Sequence, residues 1–114
     1  MRDLKLSAAK YFKAFSSKDL GTLQEMYSSD CTLRDWEIFV EGKESVLKAN
    51  KETFESVDTI SIQPMSYYQD KSTVLCEIEI LINENSDGTI RLLVLDLLEF
   101  DKGGNIKSIR AFKG

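Results

Sequence analysis

Two aspartates carry the chemistry this sequence could do. In CTLRDW, residues 31–36, strand alternation puts Cys31, Leu33 and Asp35 on one face and Thr32, Arg34 and Trp36 on the other. Asp35 therefore ends an apolar face. In TIRLLVLDLLEF, residues 89–100, Asp96 shares a face with Leu92, Val94, Leu98 and Phe100, and Leu93, Leu95 and Leu97 lie opposite. An ionised carboxylate in such a run is costly, so Asp96 must be paired, hydrogen-bonded or protonated. Two carboxyls with different surroundings in one cavity have their pKa values pushed apart, which divides acid and base roles between them. A plainer use stands beside this one: a buried Asp also caps a helix or holds a backbone turn.

The rest of the composition narrows the chemistry. The chain has no histidine. Ser-His-Asp and Cys-His nucleophile systems and nearly all zinc sites are thereby removed. Acid–base work falls to Asp, Glu, Tyr, Cys or Lys. Cys31 and Cys76 have no C-x-x-C spacing and read as buried apolar side chains. The net charge of −4, without a Lys/Arg run, argues against nucleic acid or an anionic membrane as partner. The stretch MRDLKLSAAKYF lacks a long apolar run, so neither a signal peptide nor a transmembrane helix is expected, and the expected location is cytoplasmic. With 114 residues, 42% of them hydrophobic, the expectation is one domain, 1–114, around a single core.

The elements that must position the aspartates follow from periodicity. Leu4, Ala8, Tyr11, Phe12 and Phe15 recur at helical spacing, which predicts a helix over about residues 3–17. Ser17, Lys18 and Asp19 break it with capping chemistry. A short second helix carries Leu20, Leu23, Met26 and Tyr27, and residues 30–36 read as a strand. Gly42 opens a third helix with Val46, Leu47, Asn50 and Phe54 on one side. Period two then takes over. Strands are predicted at 59–68, with Pro64 marking an edge or bulge, at 72–83, at 89–100 and at 106–112. The turns ENSDG and DKGGN make the later strands antiparallel neighbours. Three helices followed by such a sheet give an α+β arrangement. Because the strand at 89–100 is apolar on both sides, one face meets the helices and the other is expected to meet a second subunit.

From YFKAFSSKDLGTLQEMYSSDCTLRDW through EGKESV to LDLLEFDKGGNIKSIRAF, the chain resembles the nuclear transport factor two-like superfamily, which includes ketosteroid isomerases and SnoaL-like polyketide cyclases. The resemblance implies a cone-shaped, cystatin-like α+β fold. In it, three N-terminal helices pack on a curved, mainly antiparallel sheet that encloses an apolar pocket. Spacing is nearest to the isomerases. Tyr11 stands eight residues before Asp19, Asp35 follows sixteen later, and Asp96 lies fourteen before Arg110-Ala111. Tyr27 matches a supporting tyrosine at the end of helix two. There are departures. Trp36 stands where proline is usual, the segment from Asp35 to Gly42 is shorter, and Asn50 replaces a second supporting tyrosine. The sequence stops at Gly114, without the C-terminal extension usual there.

The resemblance implies a mechanism with no metal or organic cofactor. Asp35 would be the base and Tyr11 and a protonated Asp96 the oxyanion donors, with Tyr27 orienting Tyr11. Leu33, Phe15, Phe54, Val94 and Leu98 would form the apolar wall, with Trp36 at the mouth and Asn50 also against the ligand. The ligand would be a small apolar or carbonyl-containing molecule, and family habit adds a homodimer. The same set serves isomerisation or an aldol-type cyclisation. Two other readings stay open: a non-catalytic binding module, and a dimeric interaction domain with a vestigial pocket. An epoxide hydrolase would need an arginine between two pocket carboxylates, and Arg34 is expected to face away from Asp35.

Overall fold

The computed structural model describes residues 3–83 and 88–114. Residues 84–87, most of the ENSDG turn, lie outside that description. Helix α1 runs Lys5–Ser16 and buries Ala8, Tyr11, Phe12 and Ala14, the stripe that the 3.6-residue period dictates. Lys18 then turns left-handed at φ 55°, and the Asp19 N–H donates to the Ala14 carbonyl at 2.9 Å. Asp19 caps α2 (Leu20–Met26), accepting the Thr22 N–H at 3.1 Å. Helix α3 (Lys43–Ser56) starts at Gly42, whose φ of +94° suits glycine, and buries Val46, Asn50 and Phe54 one turn apart.

Among the described residues six strands follow or interleave: β1 (Tyr27–Arg34), β2 (Phe39–Glu41), β3 (Thr59–Asp70), β4 (Thr73–Asn83), β5 (Thr89–Phe100) and β6 (Ile106–Lys113). They form one sheet in the order β2-β1-β6-β5-β4-β3. The β1–β6 pair is parallel and every other pair antiparallel. Pro64 lies on edge strand β3, where the register shifts between Pro64 and Ser66. The helices cover one face of the sheet. Val74, Cys76 and Ile78 of β4 and Val94, Leu98 and Phe100 of β5 are buried there. The opposite face leaves Leu93, Leu95 and Phe112 exposed. Both cysteines are free and buried, and burial pushes each thiol up to about 12.

Three details depart from the sequence reading. Strand β1 starts at Tyr27 and ends at Arg34, so Tyr27 opens a strand instead of closing a helix. Asp35 and Trp36 lie beyond the strand in a tight connection. The short β2, which periodicity did not reveal, pairs back on β1.

Candidate active site

Helices α1 and α3 and the inner face of the sheet enclose a cavity of about 410 Å³. Tyr11 and Phe15 enter from α1 and Asn50 from α3, while Val94 and Asp96 face it from β5. Isoleucines of β3 and β4 form much of the remaining wall, among them Ile62, Ile78 and Ile80. At the mouth stand Asp35, Trp36, Glu37, Ile38 and, from β6, Lys113.

Asp96 sits where strand alternation sends it inward, opposite Cys76 on β4 and Ala111 on β6. It is only 6% exposed, and no hydrogen bond to its carboxyl occurs among the described residues. Burial, then the nearby charge of Asp35, pushes its pKa up to about 7. No buried side-chain oxygen or nitrogen among the described residues lacks a partner. The unpaired oxygens of Asp96 therefore open on the cavity.

Asp35 is held differently. Its Oδ1 accepts the N–H groups of Glu37 at 2.7 Å and Ile38 at 2.9 Å, and its own N–H donates to the Ile38 carbonyl at 3.0 Å. This side-chain turn ends β1. It leaves Oδ2 without a protein partner among the described residues.

Tyr11 is buried, and its phenol is pushed well above the usual range by burial, then by neighbouring Tyr27 and Asp96. The Tyr11 and Tyr27 rings pack against each other, centroids 6.4 Å apart. The Tyr27 hydroxyl donates to Asn50 Oδ1 at 2.6 Å. Tyr27 and Asn50 thus form a hydrogen-bonded pair beside Tyr11 in otherwise apolar surroundings.

The structure brings together Tyr11, Phe15, Leu33, Asp35, Trp36, Asn50, Val94 and Asp96 around the cavity. It does not bring Tyr27, Phe54 or Leu98 to the surface of that cavity. Tyr27 is 1% exposed and stands behind Tyr11 and Asn50. The Phe54 ring packs edge-on against Phe15, centroids 4.8 Å apart, so Phe15 is the one that lines the wall. Leu98 is fully buried in the core, two residues along β5 from Asp96. Sequence reasoning missed the isoleucine wall and Lys113. The signal for Lys113 was its alternation with Ile109 and Ala111. Its Nζ lies 5.5 Å from the centroid of the Trp36 ring. Among the described residues no arginine lines the cavity, and Arg34 rests over the Phe39 ring at 4.2 Å. Among the described residues no cluster of His, Cys, Asp or Glu is arranged to hold a metal ion, and no helix is long and apolar enough to cross a membrane.

The SnoaL-like domain profile matches residues 8–109. No curated protein matches the chain in sequence. Solved structures share its fold. The epoxide hydrolase/cyclase-like enzyme SalBIII of pyran ring formation in salinomycin superposes with TM-score 0.85 at 19% identity, covering 97% of this chain and 90% of that one. A protein of ketosteroid isomerase-like fold from Catenulispora acidiphila, in complex with trimethylamine, gives 0.83 at 15% identity over 91% and 82% of the two chains. An LEH-like epoxide hydrolase from M. tuberculosis gives 0.80 at 15% identity over 91% and 77%. At these identities the likeness is one of fold.

Proposed function

The chain belongs to the SnoaL-like domain family, and on that premise we propose that it is a cofactor-independent isomerase or cyclase that moves a proton through an enolate. The ligand is a small apolar molecule with a carbonyl group. Asp35 Oδ2 takes a proton from the carbon next to that carbonyl. The C–H electron pair becomes the C=C bond of the enolate, and the carbonyl pair moves onto oxygen. Tyr11 and protonated Asp96 donate hydrogen bonds to that oxygen as charge develops. Return of the proton to another carbon completes an isomerisation. Attack of the enolate carbon on a second carbonyl re-forms the first C=O and makes an alkoxide, which takes the proton back from Asp35 to complete an aldol-type ring closure.

The observation that carries this reading is Asp96. It is a buried carboxyl, pushed up to about 7, with no hydrogen-bond partner among the described residues and its oxygens on the cavity. A protonated acid so placed is a spare donor for a ligand oxygen. A carboxylic acid kept neutral by an apolar site is also how ketosteroid isomerases hold their oxyanion. The turn built on Asp35 Oδ1 favours the second reading, a non-catalytic binding module in which Asp35 is structural. Epoxide opening is disfavoured because no arginine is among the described residues that line the cavity.

The test is enone formation from a β,γ-unsaturated ketosteroid, followed by absorbance. Asp35→Asn is expected to lower kcat by about 10²–10⁴-fold, and Asp96→Leu by about 10²–10³-fold. No turnover above buffer sinks the isomerase version. Tight ligand binding without turnover selects the binding module.

A homodimer is part of the proposal. The outer sheet face exposes Leu93, Leu95 and Phe112 beside both signs of charge, Glu79 and Glu99 with Arg91 and Arg110. A copy turned about a two-fold axis on this face can set each charge against its opposite. Sedimentation that shows only monomer at working concentration removes the dimer.

A further inference from the structure

The inward polar groups and the aliphatic wall divide the cavity along its length. Asp96 turns its unpaired oxygens inward, and Asn50 does the same with its amide nitrogen. Asn50 is buried and lines the cavity, and its Oδ1 takes the Tyr27 proton. Its nitrogen has no partner among the described residues, and no buried nitrogen is left unsatisfied there, so the NH2 group opens on the cavity. Beyond this end the floor is aliphatic. Strand pairing sets Val94 beside Ile78, Leu92 beside Ile80 and Ile90 beside Ile82, all on the face that alternation gives to Asp96. Strand β3 adds one more isoleucine to each of the last two rows. Ile90 stands six residues from Asp96, about 20 Å along the strand. Exposure rises on the way, from 3% at Val94 to 39% at Ile90, so the floor leads from the buried polar end to the surface. The second half of α3 flanks it. Thr53, Ser56 and Val57 line the cavity, and the Asp58 N–H donates to the Asn83 carbonyl at 2.7 Å, which ties the helix end to the far end of β4. The Thr53 hydroxyl donates to the Ala49 carbonyl at 3.1 Å and the Ser56 hydroxyl to the Thr53 carbonyl at 2.8 Å. Neither has a proton left for a ligand.

We propose that the ligand joins one polar head to a hydrocarbon tail of about ten to sixteen carbons, laid along the groove between α3 and strands β3–β5. The head oxygen lies at the Asp96 and Asn50 end. The tail length follows from the strand: an extended chain gains about 1.2 Å per bond, so about 16 bonds span about 20 Å. The tail chemistry follows from the floor. A chain with an oxygen on every second carbon would strip water from those oxygens and meet no free side-chain donor along the groove among the described residues, at a cost for each oxygen. A hydrocarbon tail has no such cost and gains with every methylene it buries. The inference rests on the proposed oxyanion role of Asp96, which fixes the end at which the carbonyl sits.

The experiment titrates the full chain with methyl ketones of six, eight, ten and twelve carbons, read by the fluorescence of Trp36, the one tryptophan, at the cavity mouth. The parent is expected to bind about fourfold tighter for each added carbon. Leu92→Phe narrows the groove four residues from Asp96, about 13 Å along the strand. The gain should then end at about ten carbons, with the twelve-carbon ketone bound no tighter than the ten-carbon one. Ile80→Phe, at the paired position, serves where Leu92→Phe does not give a cooperative melt. Asp96→Leu should weaken every ketone by a common factor, about two- to tenfold, and leave the dependence on length as it was. Affinity that does not rise with length, or that rises to twelve carbons in the filled variants as in the parent, overturns the tail groove. The oxyanion reading stands in that case if Asp96→Leu still weakens binding. A gain with length that Asp96→Leu leaves untouched at every length supports the groove and overturns the Asp96 head. Ketones that do not bind the parent overturn both.

Discussion

At the deep end of the cavity Asp96 is carried by a twelve-residue strand paired on both sides, and Tyr11, Tyr27 and Asn50 are all buried. At the mouth Asp35 sits in a tight connection among the exposed Trp36, Glu37 and Ile38. The strand ladder fixes where Asp96 points, and low polarity then decides its protonation. The mouth works the other way round: the carboxylate of Asp35 makes the local structure by gathering backbone N–H groups. One residue type thus gives an acid where the fold imposes its surroundings and a turn where it imposes its own. If the comparison holds, changes at the deep end should be expensive and pH-dependent, and changes at the mouth cheap for the fold.

The largest expected effect is on stability against pH. Asp96 has an ordinary value of 3.8 and about 7 when folded. Between those values the unfolded chain has lost a proton that the folded chain keeps, so stability falls as pH rises. Below about pH 4 both states are protonated and the burial of Asp96 carries no ionic cost. Above about pH 7 the penalty is fully present, on the order of a few kcal/mol. Asp96→Asn stays neutral throughout. Its stability by urea unfolding should match wild type near pH 4 and exceed it above pH 7. Parallel curves for the two proteins would show that Asp96 ionises as easily folded as unfolded, and the contrast with the mouth would be lost.

The fold was largely legible because its signals are local. The helical stripe of Ala8, Tyr11 and Phe12, the Asp19 cap and the strict alternation along β4 and β5 each depend on neighbours a few residues away. Asp96 was legible for the same reason: alternation alone sends it inward. The end of β1 was not, because Asp35 competes for the backbone N–H groups that a longer strand would use. Strand β2 is three residues long, with Phe39 and Glu41 exposed, and offers no period to detect. The division between cavity wall and core was also hidden. Leu98 and Val94 share one face of β5, yet only Val94 reaches the cavity, since helix coverage and not alternation decides depth. Phe54 was misplaced in the same way, behind Phe15.

A middle-sized effect probes the deep cluster. Tyr27→Phe keeps the buried ring and removes one hydroxyl. Asn50 Oδ1 then loses its 2.6 Å donor inside the protein. An unsatisfied buried acceptor should cost about 1–3 kcal/mol in urea unfolding. A cost near zero would mean that the amide turns or takes up water freely, and the deep end would then be as loosely held as the mouth.

The smallest effect is expected at Trp36. Its ring is 41% exposed, beyond the end of β1, and its described polar contact is with the Lys113 ammonium at 5.5 Å. An exposed cation–π contact of this kind is worth about 0.5–1 kcal/mol. Trp36→Ala should therefore shift the unfolding midpoint little, by less than Tyr27→Phe, although tryptophan is much the larger side chain. Side-chain size alone predicts the reverse order. If Trp36→Ala proves the more damaging, the mouth is part of the folding core, and Asp35 owes its position to packing beneath Trp36 as well as to the turn it builds.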